Sequence, residues 1–192
     1  MELDLEAQKQ EFLEIARREI RREGLEELLG WLISSDFFTA PASTKYHGAY
    51  KGGLCQHALD VYRFAQKLAQ LCESPLSGES LAVAALFHDL CKVNFYVTEY
   101  RNQKNADGTW EKVPTFGINE QFVYGGHGSK SVYIVQYFMK LKPEEAVAIN
   151  CHMGFSEGGN NVQLTVGKAY EKYPLAWITH AADEAAAYLL ER

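Results

Sequence analysis

The residues from Leu81 to Phe87 are all apolar, and they run directly into His88 and Asp89, with Lys92 one turn later. Such a run leaves no polar face, so it predicts a helix buried on every side. An ionised aspartate at the end of that helix costs several kcal/mol unless a cation or good hydrogen bonds compensate it. Two compensations are open. Asp89 can pair with Lys92 at i+3, leaving His88 as a hydrogen-bonded core histidine. Alternatively, the His-Asp doublet holds a metal ion.

The remaining histidines favour the metal. Of the six in the chain, His57, His88, His127, His152 and, with a weaker pattern, His180 lie within or at the start of segments that read as apolar and helical. His57 shares the apolar face of a predicted helix over Leu54–Cys72 with Val61, Phe64, Ala65 and Leu68. A last helix, from about Tyr173 to Glu191, puts His180 and Asp183 at i, i+3 on one face. Asp183 is therefore a second carboxylate on an apolar surface and needs the same explanation as Asp89. Imidazole, carboxylate and water make a borderline ligand set suited to zinc, manganese, iron or cobalt.

The rest of the chain reads as a frame for these residues. At 192 residues, 47% hydrophobic and 23% charged, one globular domain is expected over 1–192, with N-terminal accessory helices in 1–42 and the core in 43–192. Helices are predicted at about 3–23 and over Leu25–Ile33, separated by Gly24. A loop follows to Gly53, carrying Lys45, Tyr46, His47, Tyr50 and Lys51. Ser74–Gly78 is a short connection, with Ser77 a candidate N-cap for the buried helix. Phe95–Tyr100 and Trp110–Phe116 are aromatic and β-branched around Asn105–Gly108, which predicts a β-hairpin inserted at about 95–117 and bearing Arg101, Lys104 and Lys112. Gly125, Gly126 and Gly128 surround His127 at the mouth of a helix running to about Lys140, where they would let backbone approach closely. Another helix starts at Pro143 and ends at Asn150–Gly154, beside His152, and Ser156–Asn161 reads as a loop at the rim of a pocket. The cysteines Cys55, Cys72, Cys91 and Cys151 lack paired spacing and read as reduced, buried core residues. Net charge −6 argues against an extended nucleic-acid surface, but not against a locally gripped nucleotide. Neither a signal peptide nor a membrane span is seen, so a cytoplasmic location is expected.

The order His57, His88-Asp89, His127, His152, Asp183 resembles the HD superfamily of metal-dependent phosphohydrolases, over roughly residues 43–190. The likeness is most specific in Tyr50-Lys51-Gly52-Gly53-Leu54-Cys55-Gln56-His57 and Leu86-Phe87-His88-Asp89-Leu90-Cys91-Lys92. Those stretches look like the HD domain of bacterial 3′–5′ exoribonucleases that carry an OB-fold ahead of it, although the N-terminal region here reads as helix. His127 and His152 match the six-ligand, two-metal branch; the Gly-Tyr-Pro part of the HD-GYP signature is missing. The resemblance implies an all-α helical bundle with one inserted β-hairpin. It implies two divalent ions (Mn, Fe, Co or Zn), one held by His57, His88, Asp89 and Asp183, and a second bridged by Asp89 and held by His127 and His152. Lys92 would contact phosphate, and His180 would orient a ligand or protonate the leaving oxygen. Lys51, His47 and Arg101 are the further substrate-binding candidates.

The expected function is hydrolysis of a phosphomonoester or phosphodiester by a metal-bridging hydroxide, on a nucleotide or short oligonucleotide. A di-iron oxygenase of the myo-inositol oxygenase type is the alternative, since it uses the same ligand pattern and also has a lysine after the doublet. A protein that binds a phosphorylated ligand without turnover is a third class. Self-association stays open, with the N-terminal helices available for a subunit contact.

Overall fold

The computed structural model describes residues 4–71, 75–156 and 160–190; Cys72, Ser74 and much of the predicted Ser156–Asn161 loop lie outside the described residues. The fold is helical with one small sheet. In order come α1 (Leu5–Glu19), α2 (Leu25–Ser34), α3 (Gly53–Leu71), α4 (Gly78–Phe87), β1 (Tyr96–Lys104), β2 (Trp110–Ile118), α5 (His127–Phe138), α6 (Pro143–Asn150), α7 (Asn160–Lys172) and α8 (Pro174–Ala185). Short helical turns follow α4 at Leu90–Lys92, α6 at Gly154–Ser156 and α8 at Ala186–Leu190.

Helix α4 is the axis of the bundle. Ser77 caps it through its hydroxyl, and every residue from Ser80 to Phe87 is buried. Three fully buried alanines at Ala82, Ala84 and Ala85 let the flanking helices come close. Helices α1, α3, α6 and α8 all pack against it, and α3 and α6 also pack on α8. The regular helix stops at His88; Asp89 leaves the helical region at φ −108°, ψ 21°, and Leu90–Lys92 form a tighter turn. That break turns the Asp89 side chain back toward the helix ends around it.

Three boundaries differ from the periodicity. The helix expected to reach residue 23 ends at Glu19, because Ile20 adopts an extended conformation and is buried. The chain then brings Arg22 inward, where its guanidinium forks onto Glu145 at 2.7 and 2.9 Å and reaches Glu79 at 2.8 Å. Helix α7 is unanticipated, and the long last helix is instead α8 followed by a wider turn. The antiparallel hairpin is as expected, with Tyr96 opposite Ile118 at its base and Lys104 opposite Trp110 near its tip. Among the described residues no helix is long and apolar enough to cross a membrane.

Candidate metal centre

Four helix ends and faces deliver the polar residues to one buried point. His57 comes from the inner face of α3, His88 and Asp89 from the end of α4, His152 from just beyond α6 and Asp183 from α8. The three imidazoles are fully buried, and Asp89 and Asp183 nearly so. His57 Nε2 lies 3.2 Å from His88 Nε2 and 3.0 Å from Asp183 Oδ1. His152 Nε2 lies 3.5 Å from Asp89 Oδ1, and His88 Nε2 3.5 Å from Asp89 Oδ2. Two overlapping triads, His57–His88–Asp183 and His88–Asp89–His152, each have their donor atoms close enough together to share an ion.

Backbone carbonyls fix the ring orientations. His88 donates from Nδ1 to the Ala85 carbonyl at 2.8 Å, and His152 donates from Nδ1 to the Ile149 carbonyl at 2.7 Å. A carbonyl only accepts, so in both rings the proton sits on Nδ1 and the Nε2 lone pair points inward, the arrangement that orients metal-binding histidines. The His152 Nε2 is buried and makes no hydrogen bond. A buried polar atom without a partner costs about 1–3 kcal/mol. Here it faces a carboxylate and other imidazoles across a short gap, and a divalent cation satisfies all of them at once. The residues present fit a metal ion.

Charge in the pocket agrees. Burial opposes ionisation of Asp89 and Asp183, yet Lys92 and His88 hold Asp89 below the usual carboxylate range, and His57 does the same for Asp183. Burial pushes His88 down to about 4, keeping it neutral. Burial acts the same way on His152, but Asp89 outweighs it and raises the imidazole. The Lys92 ammonium pairs with Asp89 at 2.6 Å; burial disfavours its charge, and Asp89 more than restores it. The ion pair between Asp89 and Lys92 and the histidine cluster thus coexist, where the sequence had set them as alternatives.

A cavity of about 630 Å³ opens onto this cluster, with Asp89, Lys92 and Asp183 on its floor and His47, Phe95, Tyr96, His127 and Tyr188 around it. His127 lies at the start of α5 on that wall but outside both triads, with its Nδ1 3.4 Å from Cys91 Sγ. Gly128 brings α5 against α6 there: a Cβ on it would sit 2.2 Å from the Asn150 carbonyl oxygen. His47 packs its ring on His57, 5.0 Å between centroids. His180 is behind the cluster: its Nδ1 donates to the His152 carbonyl at 2.7 Å, and its ring stacks on Tyr170. That contact orients the segment bearing His152. Arg101 reaches a neighbouring cavity instead of this one. Lys51 is exposed and lines neither cavity; Gly52, at φ 86°, turns the chain into α3 and leaves Lys51 outside the turn. Sequence reasoning missed Tyr96 and Tyr188, whose spacing carries no signal of a shared rim. Burial pushes the Tyr96 phenol up to about 12, so it stays a donor, to the Ala42 carbonyl at 3.1 Å. Cys55, Cys91 and Cys151 are buried free thiols, as expected.

The HD domain family matches this chain over residues 54–188. A dihydroneopterin 2′,3′-cyclic phosphate phosphodiesterase from Methanocaldococcus jannaschii is 30% identical over 84 residues, which is 42% of this chain and 31% of that protein. The chain therefore spans less than a third of that relative's length. No solved structure matches it.

Proposed function

Because this chain belongs to the HD domain family, we propose that it is a metal-dependent phosphohydrolase that cleaves a phosphomonoester or phosphodiester of a nucleotide or short oligonucleotide. The observation that carries the reading is the convergence of three buried imidazoles and two carboxylates beneath a cavity that also bears the Lys92 ammonium. The similarity to a protein named as a cyclic-phosphate phosphodiesterase supports phosphorus as the target.

His57, His88, Asp89 and Asp183 would hold one divalent ion, and Asp89 would bridge to a second held by His152 and His127. Such ions, when bound, supply Lewis acidity to a phosphoryl oxygen and make a coordinated water acidic enough to act as nucleophile near neutral pH. The protein does the rest. The Ala85 and Ile149 carbonyls hold the imidazoles of His88 and His152 with Nε2 facing inward. Lys92 carries its charge to the cavity floor, where charge grows on the phosphoryl oxygens. His180 keeps the His152 segment in place through its hydrogen bond to the His152 carbonyl. Tyr188 and Tyr46 are exposed on the cavity rim and offer faces on which a base can stack.

The test is hydrolysis by protein loaded with manganese, cobalt, iron or zinc, on nucleoside cyclic phosphates, nucleotides, short oligonucleotides and aryl phosphates. Metal-dependent turnover of at least one phosphoester supports the reading. No turnover of any of them, with iron near two per chain and a mixed-valent EPR signal after partial reduction, refutes it in favour of an oxygenase.

A further inference from the structure

A second cavity, about 440 Å³, adjoins the first, and Thr44 lines both. Its walls come from two segments far apart in sequence: the loop ahead of α3 gives Thr44 and Lys45, and the hairpin gives Arg101 and Thr115. No carboxylate lines it, although the chain carries net charge −6. Neither Lys45 nor Arg101 has a carboxylate partner among the described residues; Lys45 lies over the Tyr46 ring at 5.9 Å.

The two walls are tied together. The Tyr96 hydroxyl at the hairpin base donates to the Ala42 carbonyl at 3.1 Å. The loop itself is closed by Ser43, which donates to the His47 carbonyl at 2.7 Å and accepts from the Tyr46 amide at 2.8 Å. The two cations therefore flank one depression instead of trailing into solvent independently. Along β2, Ile118 borders the first cavity and Thr115 the second. Three strand residues correspond to roughly 10 Å.

A planar guanidinium, an ammonium and two hydroxyls in one depression are the donors that grip a phosphate. Lys45 and Arg101 line this cavity and not the one over the metal centre, so a mononucleotide with its phosphate on the centre does not call on them, whereas a chain that continues past Thr44 offers them a further phosphate. We propose that Lys45 and Arg101 form a second phosphate subsite, so that the substrate is a short single-stranded oligonucleotide carrying a non-scissile phosphate beside the scissile one. This deepens the phosphohydrolase reading and rests on it.

The test compares wild type with Lys45→Ala/Arg101→Ala on two substrates: a trinucleotide, and bis(p-nitrophenyl) phosphate, which has a single phosphate. The KM for the trinucleotide is expected to rise at least tenfold, and at least fivefold more than the KM for the aryl diester. Equal effects on both substrates, or no effect on either, overturn the subsite. Anisotropy with a fluorescein-labelled trinucleotide measures the same contact without turnover, so a catalytically inert wild type refutes the phosphohydrolase reading while leaving the subsite measurable. Affinity is expected to fall at least fivefold in the double variant, and the slope of log K against log salt to flatten by about 0.7, the contribution of one phosphate contact on a single strand. Unchanged affinity overturns the proposal. So does an equal loss in Lys67→Ala, an exposed α3 lysine outside the cavity, which would make the effect one of overall charge.

Discussion

Replacing Arg22 with alanine tests how the frame around the site is held. Its side chain is 15% exposed; the guanidinium forks onto Glu145, whose side chain is fully buried, and reaches Glu79, whose side chain is 25% exposed. Without it, Glu145 keeps the Lys142 backbone amide at 2.8 Å and the Ser80 hydroxyl, and its nearest remaining cation is the Lys142 ammonium at 3.9 Å. Breaking a buried pair by removing one partner costs about 3–5 kcal/mol. The loss of the partly exposed Glu79 contact adds no more than about 1 kcal/mol. At about 2–4 °C per kcal/mol for a chain of this size, Tm falls by roughly 6–24 °C. The loss also depends on pH. Arg22 depresses both carboxyls, outweighing burial at Glu145 and taking Glu79 down to about 2. Both groups ionise more readily in the folded than in the unfolded chain. Their stabilisation is therefore complete above about pH 5 and is lost as pH falls toward 2. In Arg22→Ala, burial acts on Glu145 without a cation, so protonation relieves the penalty and the gap to wild type narrows below about pH 5. Urea unfolding at pH 7 and pH 4 measures it. A loss under 1 kcal/mol at pH 7, or one that does not shrink at pH 4, refutes the reasoning.

Other perturbations act closer to the chemistry. Lys92→Ala should lower kcat/KM on a phosphoester about 10²- to 10³-fold, as the loss of one preorganised charge does, measured with saturating metal. Gly154 is at φ 59°, and a Cβ there would sit 2.5 Å from His180 Cε1. Gly154→Ala should cost at least about 1–2 kcal/mol in thermal unfolding, from the left-handed backbone alone, and should weaken metal retention by displacing His180 from the His152 carbonyl. Phe87→Ala, at the fully buried end of α4, should cost about 3–5 kcal/mol in denaturant unfolding.

What could be read in advance depended on whether the signal was local. The apolar run ending in His88-Asp89 announced both the central helix and the centre, because burial and charge stood in conflict within one turn. Helix faces then placed His57 and Asp183 inward, and the Asn-Ala-Asp-Gly turn marked the hairpin. Features made by distant residues were not legible. Arg22 looks like Arg21 beside it; only tertiary contact with Glu145 separates them. Helix α7 went unseen because, among its described side chains, the buried ones are Val166 and Ala169, joined by half-buried Tyr170, with Gly167 beside Val166 and Leu164 left exposed. The packing of His127 against Cys91, and Lys51 turned away from both cavities, likewise follow from loop geometry that side-chain type does not encode.

The central claim is that Asp89 and Asp183 are tolerated among buried helices because divalent ions sit between them and the imidazoles. Metal content per chain, measured on purified wild type and on Asp183→Asn after dialysis without chelator, tests it most directly. The account predicts a first-row divalent metal, approaching two per chain, in wild type, and a loss of at least half of it in the variant while both remain folded. A folded wild type free of metal, unable to take up manganese, iron, cobalt or zinc in titration, would contradict it.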